Sequence, residues 1–96
     1  MGYEIDLEDW RWRAVALELA SDIGKKILAT LQEKPMSATE ISRELRLPLT
    51  TVFYHLSRLE FLGVIESEIK FVNKGPRWIK RYRASYSEIT FKIGGG

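Results

Sequence analysis

A mainly α fold with a small β part, the winged helix-turn-helix, is what three features of this chain predict. Ser37-Ala-Thr-Glu40 has the form of a capping box, in which the serine hydroxyl accepts from the Glu40 N–H while the glutamate side chain reaches back to the Ser37 N–H. Leu47-Pro48-Leu49 breaks the helix so begun, because the proline ring disfavours helical geometry at Leu47 and suits the first turn of a following helix. Two segments rich in β-branched and aromatic residues, 64–73 and 77–85, flank the turn-forming Asn73-Lys74-Gly75-Pro76 and read as a basic hairpin wing. Three to four helices, one wing and short terminal strands are expected.

The elements follow in chain order. Tyr3, Ile5 and Leu7 alternate with Glu4, Asp6 and Glu8, the two-residue period of a strand with one wet face. From Asp9 as N-cap the pattern predicts a helix of about eleven residues, with Trp10, Ala14 and Leu17 on one apolar stripe and Trp12, Ala16 and Leu19 on another. Ser21 or Asp22 caps a second helix to about Glu33, with Ile23, Ile27, Leu28 and Leu31 at helical spacing until Lys34-Pro35 ends it. The helix from Ser37 carries Ile41 and Leu45 on one face, and its successor spans about residues 49–62, stopped by Gly63. Ile89, Phe91 and Ile93 alternate with Thr90 and Lys92 as a last strand, which could pair with the first within one chain or between two. Gly94-Gly95-Gly96 is expected to be a disordered tail.

Ninety-six residues make one domain, taken as 1–93 plus the glycine tail, with room for one modest core but not for a deep catalytic cleft. The apolar fraction of 45% with 29% charged is that of a soluble globular protein, and no run approaches the roughly 18 apolar residues of a membrane span. The absence of cysteine excludes disulfides and thiolate metal sites, and with an acidic N-terminus unlike a signal peptide it points to the cytoplasm. The net charge of +2 conceals a gradient. Six acids against two bases give −4 over residues 1–24, residues 25–68 balance, and seven bases against Glu88 give +6 from residue 69 onward. The C-terminal third is therefore the part suited to a polyanion.

On a helical wheel Val52, Leu56, Leu59 and Gly63 share the inner arc of the second helix, with His55 and Leu62 at its border. Thr50, Tyr54, Ser57 and Phe61 occupy the opposite arc, flanked by Phe53 on one side and Thr51 and Arg58 on the other. In a helix-turn-helix this outward face enters the major groove, so Thr50 and Tyr54 are the expected readers of base edges. Lys74 and Arg77 at the wing tip, with Lys70, Lys80, Arg81 and Arg83 along its strands, would supply salt-dependent contacts to phosphates. Ser37, which opens the first helix of the motif, joins these as a candidate DNA contact. Each residue has a plainer reading too. Arg58 is a candidate phosphate contact but could equally be a solvated charge or a partner of Glu60 or Glu44, Phe61 could pack on the wing or the N-terminal helix, and Trp78 is expected to cover the base of the wing. His55 reads as a partly buried helix residue bonded to backbone or phosphate. The exposed aromatics also fit a different class of function, a winged-helix protein-interaction module within a multi-subunit assembly.

Catalysis is not indicated. One histidine without cysteine is poor material for a metal site, no glycine-rich phosphate loop follows a strand, and Glu66 and Glu68 have no nucleophile beside them. No cofactor is expected.

The runs Leu19-Ala-Ser-Asp-Ile-Gly-Lys-Lys-Ile-Leu-Ala-Thr-Leu, Met36-Ser-Ala-Thr-Glu-Ile-Ser-Arg-Glu-Leu and Thr51-Val-Phe-Tyr-His-Leu-Ser-Arg-Leu-Glu-Phe-Leu-Gly-Val-Ile resemble the ArsR-like winged helix-turn-helix regulators of archaea and bacteria, over about residues 19–85. The resemblance implies a homodimeric transcription factor that binds double-stranded DNA, with Leu49, Thr50, Phe53, Tyr54 and Ser57 at the positions of the recognition helix. The chain departs from metal-sensing members in having no cysteines, and it lacks the C-terminal dimerisation helix of many members. Pairing of two copies would then use the Trp10/Trp12 helix or the terminal strands.

Overall fold

In the computed structural model, which describes residues 2–72 and 77–94, the elements run β1 (Gly2–Asp6), α1 (Arg11–Ala20), α2 (Asp22–Glu33), β2 (Met36–Ser37), α3 (Ala38–Leu45), α4 (Leu49–Phe61), β3 (Ile65–Val72), β4 (Arg77–Ala84) and β5 (Glu88–Lys92). Local chemistry sets most of these boundaries. Ser21, not Asp22, caps α2, its hydroxyl accepting from the Gly24 N–H at 3.2 Å. Both halves of the capping box form at α3: Glu40 N–H to Ser37 Oγ at 3.2 Å and Ser37 N–H to Glu40 Oε1 at 2.9 Å. The backbone bond from Ser37, followed by its hydroxyl, lowers the Glu40 pKa against the opposing effect of burial. Arg46 ends α3 in the left-handed region at φ 55°, and the Leu47 N–H returns to the Ser42 carbonyl. Gly63, at φ 77°, closes α4 as a Schellman motif, in which its N–H meets the Glu60 carbonyl and the Val64 N–H meets that of Leu59.

At α1 the start is corrected. The N-cap is Trp10 rather than Asp9 and the helix begins at Arg11, because the Asp9 carboxylate accepts the Arg11 N–H at 2.9 Å and clasps its guanidinium at 2.6 Å. That clasp holds the Asp9 carboxyl down at about 2. The buried face follows the two expected stripes only in part: Trp12, Ala14 and Leu19 are half-buried against the core. Val15 and Glu18 point inward, whereas Trp10 and Leu17 are exposed.

Wing strands β3 and β4 are antiparallel, in register from Ile65 opposite Ala84 to Val72 opposite Arg77, and β2 adds to the far side of β4 through Met36 and Ser37. The expected turn 73–76, with Lys74, lies outside the described residues. The terminal strands pair within the chain, and in parallel, with Tyr3 opposite Ile89 and Ile5 opposite Phe91. Ile93 lies past the end of β5 and is exposed, so the alternation stops one step early. The last two glycines, 95 and 96, lie outside the described residues. Tyr3 Oη donates to the Leu62 carbonyl at 2.7 Å and ties this ribbon to the end of α4.

One core joins Ile5, Val15, Ile27, Leu31, Ile41, Val52, Leu56, Leu59, Ile65 and Tyr82. Gly24 permits its tightest helix approach, since a Cβ there would lie 2.3 Å from the Glu18 carbonyl oxygen, a backbone atom that cannot swing away. Gly24→Ala is accordingly expected to lower stability by about 1–3 kcal/mol through overpacking. Urea denaturation measures it, and an unchanged midpoint would contradict the close approach. Among the described residues no helix is long and apolar enough to cross a membrane.

Candidate nucleic-acid interface

Helix α4 sorts its residues into two faces. Val52, Leu56 and Leu59 are buried, while Leu49, Thr50, Phe53, Tyr54, Ser57 and Phe61 are exposed and Thr51 is half-buried. Tyr54 keeps 60% of its surface open. The packing of α4 against α3 and β3 thus leaves its outward face, including the N-terminal half, uncovered. Gly63, expected on the inner arc, is exposed because it already belongs to the turn. Phe61 packs on Trp10 at the head of the N-terminal helix, the rings tilted at 52° with centres 6.0 Å apart.

The cations of the wing are of two kinds, those matched to carboxylates and those that are not. Residues 1 apart on a strand face opposite ways, and cross-strand register then decides which charges meet. Arg83 donates to Glu66 directly across the hairpin at 2.6 Å, Lys80 reaches Glu60 on α4 at 3.2 Å, and Lys70 lies 3.6 Å from Glu68. These bonds raise the Arg83 and Lys80 pKa values, and Glu60 is lowered by the Ser67 hydroxyl first and by Lys80 after it. Three of the cations expected to meet phosphates are therefore already matched to carboxylates. Arg77 and Arg81 have no ion-pair partner among the described residues, and neither has Arg43 on α3.

Those three arginines converge. With Ser37 and Thr39 from the start of α3, Phe53 from α4 and Trp78 from β4, they line an open cleft of about 520 Å³ between the helix-turn-helix and the wing. The Ser37 hydroxyl is engaged in its cap there. Trp78 corrects expectation. It does not cover the wing's base but stands 68% exposed, edge-on to Phe71 at 5.1 Å, because its side of the hairpin runs past the end of the core. Arg43 and Thr39 escape sequence reading, since neither carries a motif; their only signal is position on the polar face of the first motif helix.

Behind the exposed face of α4 lies Glu18, 4% exposed. Its Oε2 sits 2.8 Å from His55 Nδ1, and its Oε1 accepts from Arg58 Nε. His55 is thus bonded to a carboxylate, not to backbone or phosphate, and Arg58 pairs with Glu18 rather than with Glu60 or Glu44. The bond to Glu18 is the main cause that raises the Arg58 pKa. Among the described residues no three histidine, aspartate or glutamate side chains gather as a metal site.

Comparison with known proteins identifies the family and the fold. Residues 19–68 match the model of a family described as a helix-turn-helix domain. The chain is 35% identical over 75 residues to an HTH-type transcriptional regulator of Methanocaldococcus jannaschii, covering 78% of this chain and 75% of that one. Among solved structures, an ArsR-like transcriptional regulator from Rhodococcus sp. RHA1 superposes with a TM-score of 0.61 at 26% identity, over 75% of this chain; the chain spans 61% of that protein's length. Reduced HlyU from Vibrio cholerae has the same fold, with a TM-score of 0.63 at 21% identity over 78% of this chain and 73% of its own.

Proposed function

Because this chain belongs to the helix-turn-helix family, in its ArsR-like winged form, we propose that it is a transcriptional regulator that binds double-stranded DNA sequence-specifically, with α4 in the major groove and the wing on the backbone. One observation carries this reading: an uncovered helical face bearing Thr50, Tyr54 and Ser57 stands beside Arg43, Arg77 and Arg81, which form no ion pair among the described residues. Hydroxyls and rings meet base edges and thymine methyls, and the arginines meet phosphates. Ser37, Leu49, Thr51 and Phe53 border that face, and the phosphate contact expected of Lys74 lies outside the described residues. We assign pairing of two copies to the apolar surface of Trp10, Leu17 and Phe61, since β1 and β5 already pair with each other. The proposed site of action is the cytoplasm.

Selection of bound sequences from a random duplex pool, with the mass of the complex measured, tests the whole reading. An enriched motif with two-fold symmetry and a mass of two chains is expected; failure to retard any duplex at low ionic strength would end it. Tyr54→Ala is expected to weaken discrimination between the enriched and a scrambled duplex by roughly 1 kcal/mol, about fivefold. Unchanged discrimination would remove Tyr54 from base reading. A protein-interaction module remains the second reading, favoured by the exposure of Trp10, Leu17 and Phe61 together.

A further inference from the structure

We propose that Glu18, one residue before the segment that matches the helix-turn-helix family, is a positioning residue that orients the recognition tyrosine, Tyr54; the inference rests on the DNA-binding reading above. A carboxylate this deeply buried must be compensated, and both of its oxygens are. What compensates it is informative. His55 and Arg58 both sit on α4, and each also touches Tyr54: the His55 ring stands at 89° to the tyrosine ring with centres 5.2 Å apart, and the Arg58 guanidinium carbon lies 5.5 Å from the ring centre. One buried group on α1 thereby holds the two side chains that flank an exposed ring. The Glu18 carboxylate accepts, so Nδ1 of His55 carries a proton when this bond forms. Arg58, bonded through Nε, is held by its plane and not only by its charge.

An exposed tyrosine on a helix surface otherwise divides its time among rotamers, and ordering it on DNA costs affinity for the correct site. Held beforehand between His55 and Arg58, Tyr54 meets the groove in one orientation. The benefit falls on the site that Tyr54 fits and not on phosphate contacts, which are the same on every duplex.

The test uses the duplex that the protein enriches from a random pool and a scrambled duplex of equal length. Glu18→Ala is expected to lower the ratio of the two affinities about two- to tenfold. Glu18→Gln keeps an oxygen for Arg58 and an amide for His55, and should hold the ratio within about twofold. In a Tyr54→Leu background Glu18→Ala should change the ratio no further. A purely structural carboxylate would instead reduce both affinities by one factor, in either background, and that result overturns the proposal. Should Glu18→Ala fail to fold, Arg58→Met in the same scheme cuts the link at its next member while His55 keeps its bond. The ring resonances of Tyr54 give an arm without DNA, expected to move in Glu18→Ala and to stay in Glu18→Gln. Unmoved resonances in Glu18→Ala sink the positioning role, whereas moved resonances in a protein that binds no duplex sink the DNA-binding reading alone.

Discussion

Replacing Arg43, Arg77 and Arg81 together by alanine is expected to weaken binding to any duplex by about two to three orders of magnitude near 0.1 M salt, and by progressively less as salt rises. Each phosphate neutralised by a cation releases condensed counterions and contributes about −0.9 to the slope of log K against log salt. Loss of three such contacts removes roughly 2.7 from that slope. These three are chosen because they line one cleft and have no carboxylate partner among the described residues. Lys80 and Arg83 serve as the contrast, being bonded to Glu60 and Glu66. Changing those two to alanine uncovers carboxylates and deletes cations in equal number, and the slope should move far less. Anisotropy titrations at several salt concentrations read both variants. The enriched and scrambled duplexes should lose affinity alike, since phosphates carry no sequence. An unaltered slope in the triple variant would take the cleft out of the interface.

Leu56→Ala is expected to have the largest effect on stability, about 2–5 kcal/mol, out of the roughly 5–15 kcal/mol typical of a whole domain. Leu56 has no exposed surface and lies on the inner face of α4 between Val52 and Leu59, so its truncation leaves a cavity that the close packing of α4 on α3 and β3 cannot fill. Helix α4 is seated by this residue. Urea unfolding should show the midpoint falling with the slope unchanged, and binding to every duplex should weaken wherever the folded fraction drops. Leu56→Met, which nearly conserves volume, should cost less than about 1.5 kcal/mol. A midpoint that stays in place for Leu56→Ala would mean that α4 is not anchored through this face.

Short-range chemistry made several elements legible from residue order. The Ser37/Glu40 box, the Ser21 cap, the left-handed Gly63 and the spacing of Val52, Leu56 and Leu59 each involve partners within a turn or two, and each stands where the pattern puts it. The outward set on α4 was readable for the same reason, because burying one arc of a helix exposes its opposite. The start of α1 was shifted by a local Asp9–Arg11 contact, but misreadings of what is buried arise where a partner is distant. Glu18 meets residues 37 and 40 positions away, which is why a carboxylate could face inward on α1 beside Val15. Trp78 was placed over the core because bulk alone says nothing of how far a hairpin extends beyond the globule.

Helix limits, the wing and the charge gradient are thus consequences of neighbours along the chain, where capping, φ preference and periodicity act without help from the rest of the molecule. Which cations remain unmatched, which strand lies beside which, and what stands behind Tyr54 depend on groups brought together from remote positions. Electrostatic neutralisation and burial act through space, so a lysine or arginine count becomes a binding surface only after folding has assigned the acids.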